Sequence, residues 1–357
     1  VVNKFKTGNS LFKVNCFNFK LFCLNNFWHF FDFICFNKFQ SRYVDAIFEF
    51  VVKFASVFYK LFFLDRKNNL WYSKFALINK DYKILIVGLG LLGGSYAQGL
   101  TDVGFNVGAI DINEESINYA LKEGITQSGH TTVDKEYVSQ FDLIVFALYP
   151  KVFINWLKDY QSYLKKGAIV TDVTGVKSWV DKEIKTFIRD DIEYVLAHPM
   201  AGREVYGVKN SDNYIVIPNE KASEDAVCVI EDIGRLLGFK NVVRLSCEEH
   251  DEMIGFLSQL THCIAISLMC ANDDPDLVEY TGDSFRDLTR IANINDEMWS
   301  ELFLANREAL LQEMDGYRDA FNRLYDTIKD GDREAMRDMM RLSSARRKTF
   351  NEGEKLI

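Results

Sequence analysis

The sequence predicts an α/β protein in which a doubly wound parallel sheet is followed by an all-helical C-terminal domain. Three observations carry this. From Tyr82 onward short apolar runs alternate with helical patterns; a glycine loop joins the first run to the first helix; and beyond Ser246 strand signals stop, leaving 247–350 helical in texture. The domains that follow are a Phe/Lys/Asn-rich segment at 1–80, a nucleotide-binding domain at 81–245 and a helical substrate and dimerisation domain at 246–357. The boundary near 245 rests on the change of texture alone, since no internal repeat and no Pro- or Gly-rich linker marks it.

Residues 84–87, ILIV, form a continuous apolar run, as expected for a parallel strand covered on both faces. Gly88, Gly90 and Gly93 complete GxGxxG, with Leu91 and Leu92 between the last two. The first glycine permits a tight turn, the second lets backbone approach a pyrophosphate, and the third lets helix pack on strand. A second strand, 106–110, ends in Asp111, about 20 residues past the turn, where an acid accepts hydrogen bonds from a ribose. A glycine loop alone is weak evidence, but strand, loop, helix and acid together predict a Rossmann-type domain that binds a dinucleotide.

The later elements follow the same alternation. A helix is expected over 113–123, and a strand over 142–147 delivers Tyr149 and Pro150 to the carboxyl edge beside the cofactor. A strand over 168–171 ends at Asp172, a helix covers about 176–188, and a strand over 194–197 carries His198 to the same edge, where open α/β sheets bind ligands. Strands over 213–217 and 242–245 flank a helix over 223–237. In the helical region, 296–329 reads as one long amphipathic stretch.

Residues 1–80 differ from everything after them. They hold 18 of the 29 Phe, no Pro and one Gly, and carry a net +8, which leaves −17 on residues 81–357. That acidic balance argues against nucleic acid as a partner of the main body. Charged residues interrupt every apolar run in 1–80, so no membrane span is expected there. The preferred reading of the segment is an upstream translation or gene-model artefact, and the runner-up is a peripheral anchor or targeting extension, with helix over 44–64 if an apolar surface is met. Seven Cys without CxxC or Cys/His metal spacing point to buried free thiols in a reducing, cytoplasmic compartment.

Few residues are placed to do chemistry. His198 lies in AHPMAGRE, where Pro199 fixes the chain's exit and Gly202 lets a loop turn back; Glu204 either orients it or is a solvated loop carboxylate. His250 and His262 are twelve apart on one helix, roughly one face, with Ser258 four residues before His262. That spacing is too wide for a helical histidine pair on zinc, so no metal is expected. Arg286 and Arg290, four apart, either grip a carboxylate or form an ordinary salt-bridged surface with Asp283 and Asp287.

Taken together, GLGLLGGSYA at 88–97, DVTGVK at 172–177, HPMAGRE at 198–204, EHD at 249–251, FLSQLTH at 256–262, FRDLTRIA at 285–292, and MW at 298–299 followed by Asn306 resemble the prephenate and arogenate dehydrogenase family of tyrosine biosynthesis. The resemblance covers about 82–357. It implies NAD as cofactor and prephenate, or its amino analogue arogenate, as substrate. A hydride leaves C4 while the ring carboxylate departs as carbon dioxide, and aromatisation drives the reaction. It further implies that His198 is the catalytic base, that Arg290, with Arg286 as a weaker candidate, binds a carboxylate, and that His262, Ser258 and Glu204 line the pocket, with His250 supporting the cleft. Many relatives carry a serine at the position of Gly175; the nearest hydroxyl here is Thr174, which is the candidate to replace it. No regulatory or chorismate mutase domain is expected. Two other classes stay open. A β-hydroxy acid dehydrogenase calls for a catalytic Lys that 247–300 does not offer, and a non-catalytic NAD sensor gives no reason for His198, His262 and Arg290 to occur together.

Overall fold

The computed structural model describes residue 78 and residues 80–200 and 213–353, all within one compact unit, Ala76–Ile357. The expectations for residues 1–77, including a helix over 44–64, and for the loop holding Gly202 and Glu204 lie outside the described residues.

Six strands form a parallel sheet in the order β3-β2-β1-β4-β5-β6: β1 Lys83–Val87, β2 Asn106–Ile110, β3 Ser128–His130, β4 Leu143–Phe146, β5 Ile169–Asp172 and β6 Glu193–Tyr194. The order reverses between β1 and β4, so a crevice opens at their carboxyl ends. Helices α1 Leu91–Asp102, α2 Glu114–Lys122, α3 Lys135–Val138, α4 Pro150–Tyr160 and α5 Ser178–Lys185 connect the strands. The uninterrupted apolar strands make sense in this setting. Leu85 and Val87 point into one core with Phe146, Phe153 and Val180, while Ile84 and Ile86 point into another with Tyr96, Leu100 and Ile233. Local signals set the helix starts: Asn113 caps α2 through the Glu115 and Ser116 N–H groups, and Pro150, which has no N–H to lose, opens α4.

The strand expected over 194–197 is in fact two. Val195 N–H makes the last ladder bond to β5, at Val170 O, 2.9 Å. Beyond it, β7 (Leu196–Pro199) joins a second sheet, antiparallel to β8 (Asn213–Ile217), which in turn runs parallel to β9 (Asn241–Arg244). Side chains take over where the first ladder stops: Ala197 N–H donates to Asp172 Oδ1 at 3.2 Å and Ala197 O accepts from Lys177 Nζ at 2.6 Å. A buried ion pair thus bridges the two sheets, something no apolar period records. Helix α6 (Glu224–Leu236) covers the second sheet, its apolar side buried against Tyr214 and Val216.

The remaining described elements are helices. A capping box between Ser246 and Glu249 starts α7 (Cys247–Ile254), which runs through a π-helical turn, Gly255–Leu260, into α8 (Thr261–Met269). Then come α9 Leu277–Tyr280, α10 Asp283–Thr289, a 3₁₀ turn Arg290–Ala292, α11 Asp296–Ala305, α12 Arg307–Lys329 and α13 Arg333–Gly353. The single stretch expected over 296–329 is broken at Asn306, with φ −113° and ψ 28°. Its buried amide donates to Asp251 O at 2.9 Å and Gln259 Oε1 at 2.8 Å, tertiary bonds that favour the break over a continuous helix. The segment Cys247–Met269 is long and apolar enough to cross a membrane by length and composition, with mean hydropathy 1.3. Cys228, Cys247 and Cys263 are half-buried free thiols and Cys270 is exposed, less sheltered than expected.

Candidate active site

The glycine loop lies at the reversal point of the parallel sheet. Gly88 has φ +97°, and a Cβ there would stand 2.5 Å from Ala147 O. A Cβ on Gly93 would stand 1.8 Å from Gly88 O, so helix α1 reaches its strand only because this residue has no side chain. Gly90 is different: nothing lies within 4 Å of its would-be Cβ, and it caps α1 without any side-chain hydrogen bond. Packing therefore explains Gly88 and Gly93 but not Gly90. Open space over uncapped helix N–H groups is what a pyrophosphate needs, so this loop fits a dinucleotide. Asp111 is held at the end of β2, its Oδ2 accepting from Leu89 N–H at 2.6 Å and its Oδ1 from Asn113 N–H at 2.8 Å. Each oxygen keeps a lone pair for a ribose hydroxyl. Leu91 is exposed at the start of α1, whereas Leu92 packs into the core. Tyr149 is also exposed, its hydroxyl accepting from Asn295 Nδ2 at 3.1 Å, and Pro150 is buried.

His198 sits on β7, partly buried. Its Nδ1 lies 2.8 Å from Nε2 of His250, and His250 Nδ1 lies 2.7 Å from Asp251 Oδ1. Asp251 also accepts the N–H groups of Lys177 (2.9 Å) and Ser178 (2.8 Å). Burial raises the carboxyl's pKa, but the bonds from His250 and Ser178 outweigh it and hold Asp251 below its usual value, so it is ionised. Burial, then His250, then the Lys177 ammonium hold His198 well below the usual imidazole value, and burial also lowers His250 despite Asp251. Both imidazoles are therefore neutral at neutral pH.

Thr174 does not offer its hydroxyl as expected. Its Oγ1 bonds Asp172 Oδ2 and the Val176 carbonyl within a buried loop, beside Lys177 Nζ. A Cβ on Gly175 meets only ordinary contact, Leu302 at 3.6 Å, so that position has room for a side chain and simply lacks one.

His250 and His262 flank the π turn. In an unbroken α-helix twelve residues leave the two side chains about 120° apart, not on one face; one residue in excess of the α repeat turns that to about 20°. The π turn thus supplies the shared face that sequence spacing alone does not. His262 Nδ1 donates to Ser258 O at 2.9 Å, and its ring lies 3.8 Å from that of Trp299, centroid to centroid. Burial lowers the pKa of His262, leaving Nε2 an acceptor. Both arginines are exposed: Arg290 opens the 3₁₀ turn that packs on α8, directly after α10, and Arg286 lies on α10, its Nε donating to Thr281 Oγ1 at 3.1 Å. Sequence reasoning quoted Asp251, Lys177, Asp172 and Trp299 within motifs but gave them no role. For Asp251 the signal was poor, because adjacent residues on a helix diverge by about 100°.

A glycine loop of this kind at the reversal point of a 3-2-1-4-5-6 sheet defines a dinucleotide-binding protein. The chain belongs to the prephenate dehydrogenase family. Residues 97–240 match the family model for the prephenate dehydrogenase nucleotide-binding domain and 246–342 that for the prephenate dehydrogenase dimerization domain. It is 30% identical over 288 residues to a prephenate dehydrogenase of Lactococcus lactis, covering 77% of this chain and 76% of that one, and 27% identical to that of Bacillus subtilis, covering 70% and 71%. A solved prephenate dehydrogenase from A. aeolicus, in complex with hydroxyphenyl propionate and NAD+, is similar with a TM-score of 0.68 and 29% identity, covering 75% of this chain and 98% of that one.

Proposed function

We propose that this chain carries out the NAD-dependent oxidative decarboxylation of prephenate to 4-hydroxyphenylpyruvate in tyrosine biosynthesis. The observation that carries the reading is a neutral histidine, His198, backed by His250 and Asp251 on the neighbouring helix. A bound nicotinamide supplies the acceptor for the hydride that leaves C4. Gly88, Gly90, Leu91, Leu92 and Gly93 would hold its pyrophosphate and Asp111 its adenosine ribose, with Tyr149 and Pro150 along the edge. His198 accepts the C4 hydroxyl proton as that oxygen becomes a carbonyl, and returns it to the phenolate once carbon dioxide has left. Because the hydroxyl grows more acidic as the reaction proceeds, a neutral base interacts more strongly with the transition state than with the bound substrate. Arg290 binds a substrate carboxylate, and His262 with Ser258, Glu204 and Arg286 completes the pocket wall.

The protein is read as a cytoplasmic homodimer paired through its helical domain. Support comes from the apolar side chains it exposes there, among them Phe256, Leu257, Leu311 and Phe321, each about half exposed or more. A second copy suits Cys247–Met269 better than lipid does, because this helix carries His250, Asp251 and Gln259 in its buried polar network. The expected boundary at 80 moves back a few residues, because Ile78 is buried in the core with Ile84 and Ile86; residues 1–75 are assigned no part in the catalytic fold, and a chain beginning at Ala76 should stay active. The test is turnover of prephenate with NAD, read as absorbance of reduced nicotinamide, with arogenate assayed alongside. Arogenate turned over faster than prephenate would overturn the substrate assignment, and no turnover of either would overturn the reading itself.

A further inference from the structure

Hydrogen-bond donors and acceptors along the line Asp251, His250, His198 have only one consistent assignment. Asp251 is an acceptor, so the proton between it and His250 belongs to His250 Nδ1, at 2.7 Å. Neutral His250 then has a bare Nε2. The 2.8 Å contact to His198 can be a hydrogen bond only if His198 Nδ1 carries the proton and donates it. That leaves the lone pair of neutral His198 on Nε2, the ring nitrogen that no described residue occupies.

We propose that His250 and Asp251 are positioning residues that make His198 a base: they lock it in the Nδ1–H tautomer, and His250 shares the proton that His198 takes from substrate. This inference rests on the proposed function for its substrate but not for its geometry. In the step itself the substrate O–H bond breaks and an N–H bond forms at His198 Nε2. The proton between the rings moves from His198 Nδ1 toward His250 Nε2, so the positive charge is carried beside the Asp251 carboxylate. When the phenolate forms, the same proton motions run backward, and no proton is gained or lost overall.

The groups facing the pair decide whether this arrangement is needed. Lys177 sits at the end of the loop after β5, its ammonium fully buried against Asp172, and adds a positive field that works against a charge on His198. Asp172 faces the pair from the end of β5 and Asp251 from α7, while Cys247 on α7, its thiol pushed by burial up to about 12, stays neutral. An isolated imidazole here would accept a proton poorly. With His250 and Asp251 behind it, the two rings titrate as one unit that takes up a single proton. A proton on that unit from solvent occupies Nε2 of His198 and abolishes the base.

The test begins with the protein labelled with 15N in its histidine rings, with no substrate present and His198 assigned by its loss in His198→Asn. The expected spectrum at neutral pH has a protonated Nδ1 and a bare Nε2 on His198. The opposite tautomer overturns the proposal even if prephenate is turned over, and the expected tautomer in a protein inactive toward prephenate and arogenate would sink the substrate reading alone. Kinetics supply the second arm. His250→Gln keeps an oxygen that accepts from His198 Nδ1 but cannot take the shared proton, and should lose about tenfold in kcat, whereas His250→Leu, which removes the acceptor as well, should lose about 10²–10³-fold in kcat with KM changed less than about threefold. Asp251→Asn should lower kcat with the Leu variant and shift the acid limb of its pH profile. Equal kcat for the Leu and Gln variants, both folded by circular dichroism, overturns the proposal.

Discussion

The ammonium of Lys177 lies 2.7 Å from Asp172 Oδ2, and neither side chain is exposed to solvent at all. Burial pulls the lysine pKa down and Asp172 pulls it back up, while the same ammonium holds the Ala197 carbonyl next to His198. A buried pair broken on one side is far more costly than one never made, because the remaining charge has no water to turn to. Lys177→Met should therefore destabilise the protein by about 3–5 kcal/mol, read by urea unfolding. A loss under about 1 kcal/mol would mean that the junction of the two sheets does not depend on this pair.

The glycine loop separates folding from cofactor binding. Gly90→Ala meets nothing within 4 Å, so the free protein should unfold at an unchanged temperature while its Kd for NAD rises by about tenfold or more. Gly93→Ala forces a Cβ to 1.8 Å from Gly88 O and should lower the unfolding temperature itself. Equal NAD affinity in Gly90→Ala and the parent would remove the pyrophosphate from this loop.

Asp111 is expected to set the cofactor preference. Its carboxylate, fixed by Leu89 and Asn113, repels a 2′-phosphate, and neither Ile112 nor Asn113 offers compensating charge. Asp111→Ser should narrow the preference for NAD over NADP in kcat/KM. A parent enzyme using NADP equally well would contradict this.

His198 links activity and stability to pH in the same direction. Its folded pKa lies below the unfolded value of about 6.5, so the folded state binds fewer protons. The resulting stability is fully present above about pH 6.5 and is lost as pH falls toward the folded pKa. Turnover should stay flat through neutrality and fall only at a pH lower than an ordinary histidine would give. His198→Asn should depress kcat far more than it alters KM; a variant with normal kcat and raised KM would show that the base lies elsewhere.

Arg290 should behave in the opposite way, because the pair with a substrate carboxylate proposed for it would be complete before chemistry starts. Arg290→Gln should raise KM about tenfold to a few hundredfold if a charge-assisted bond contributes roughly 1.5–3 kcal/mol. A kcat effect exceeding the KM effect would instead assign it to the carboxylate that leaves.

What the sequence made legible is what local pattern controls. GxGxxG, the apolar run before it and Asp111 specify β1 and β2 almost to the residue and place α1 between them, and the loss of strand signal after Ser246 announces the helices. Other features depend on bonds between distant residues and leave no local trace. The division of 193–199 between two sheets turns on Asp172 and Lys177, and the break at 306 on an amide bonded to Asp251 and Gln259. Thr174 belongs with them: a hydroxyl in a loop motif looks available until its partners, Asp172 and Val176, are seen.

Asn306 links the outer helices to the site. Helix α12 begins one residue beyond the amide that grips the Asp251 carbonyl, and from there three hydrogen bonds, none longer than 2.9 Å, lead through His250 to the ring of His198. Asp251 thus serves two ends at once, its carbonyl anchoring the start of the outer helix and its carboxylate backing the base.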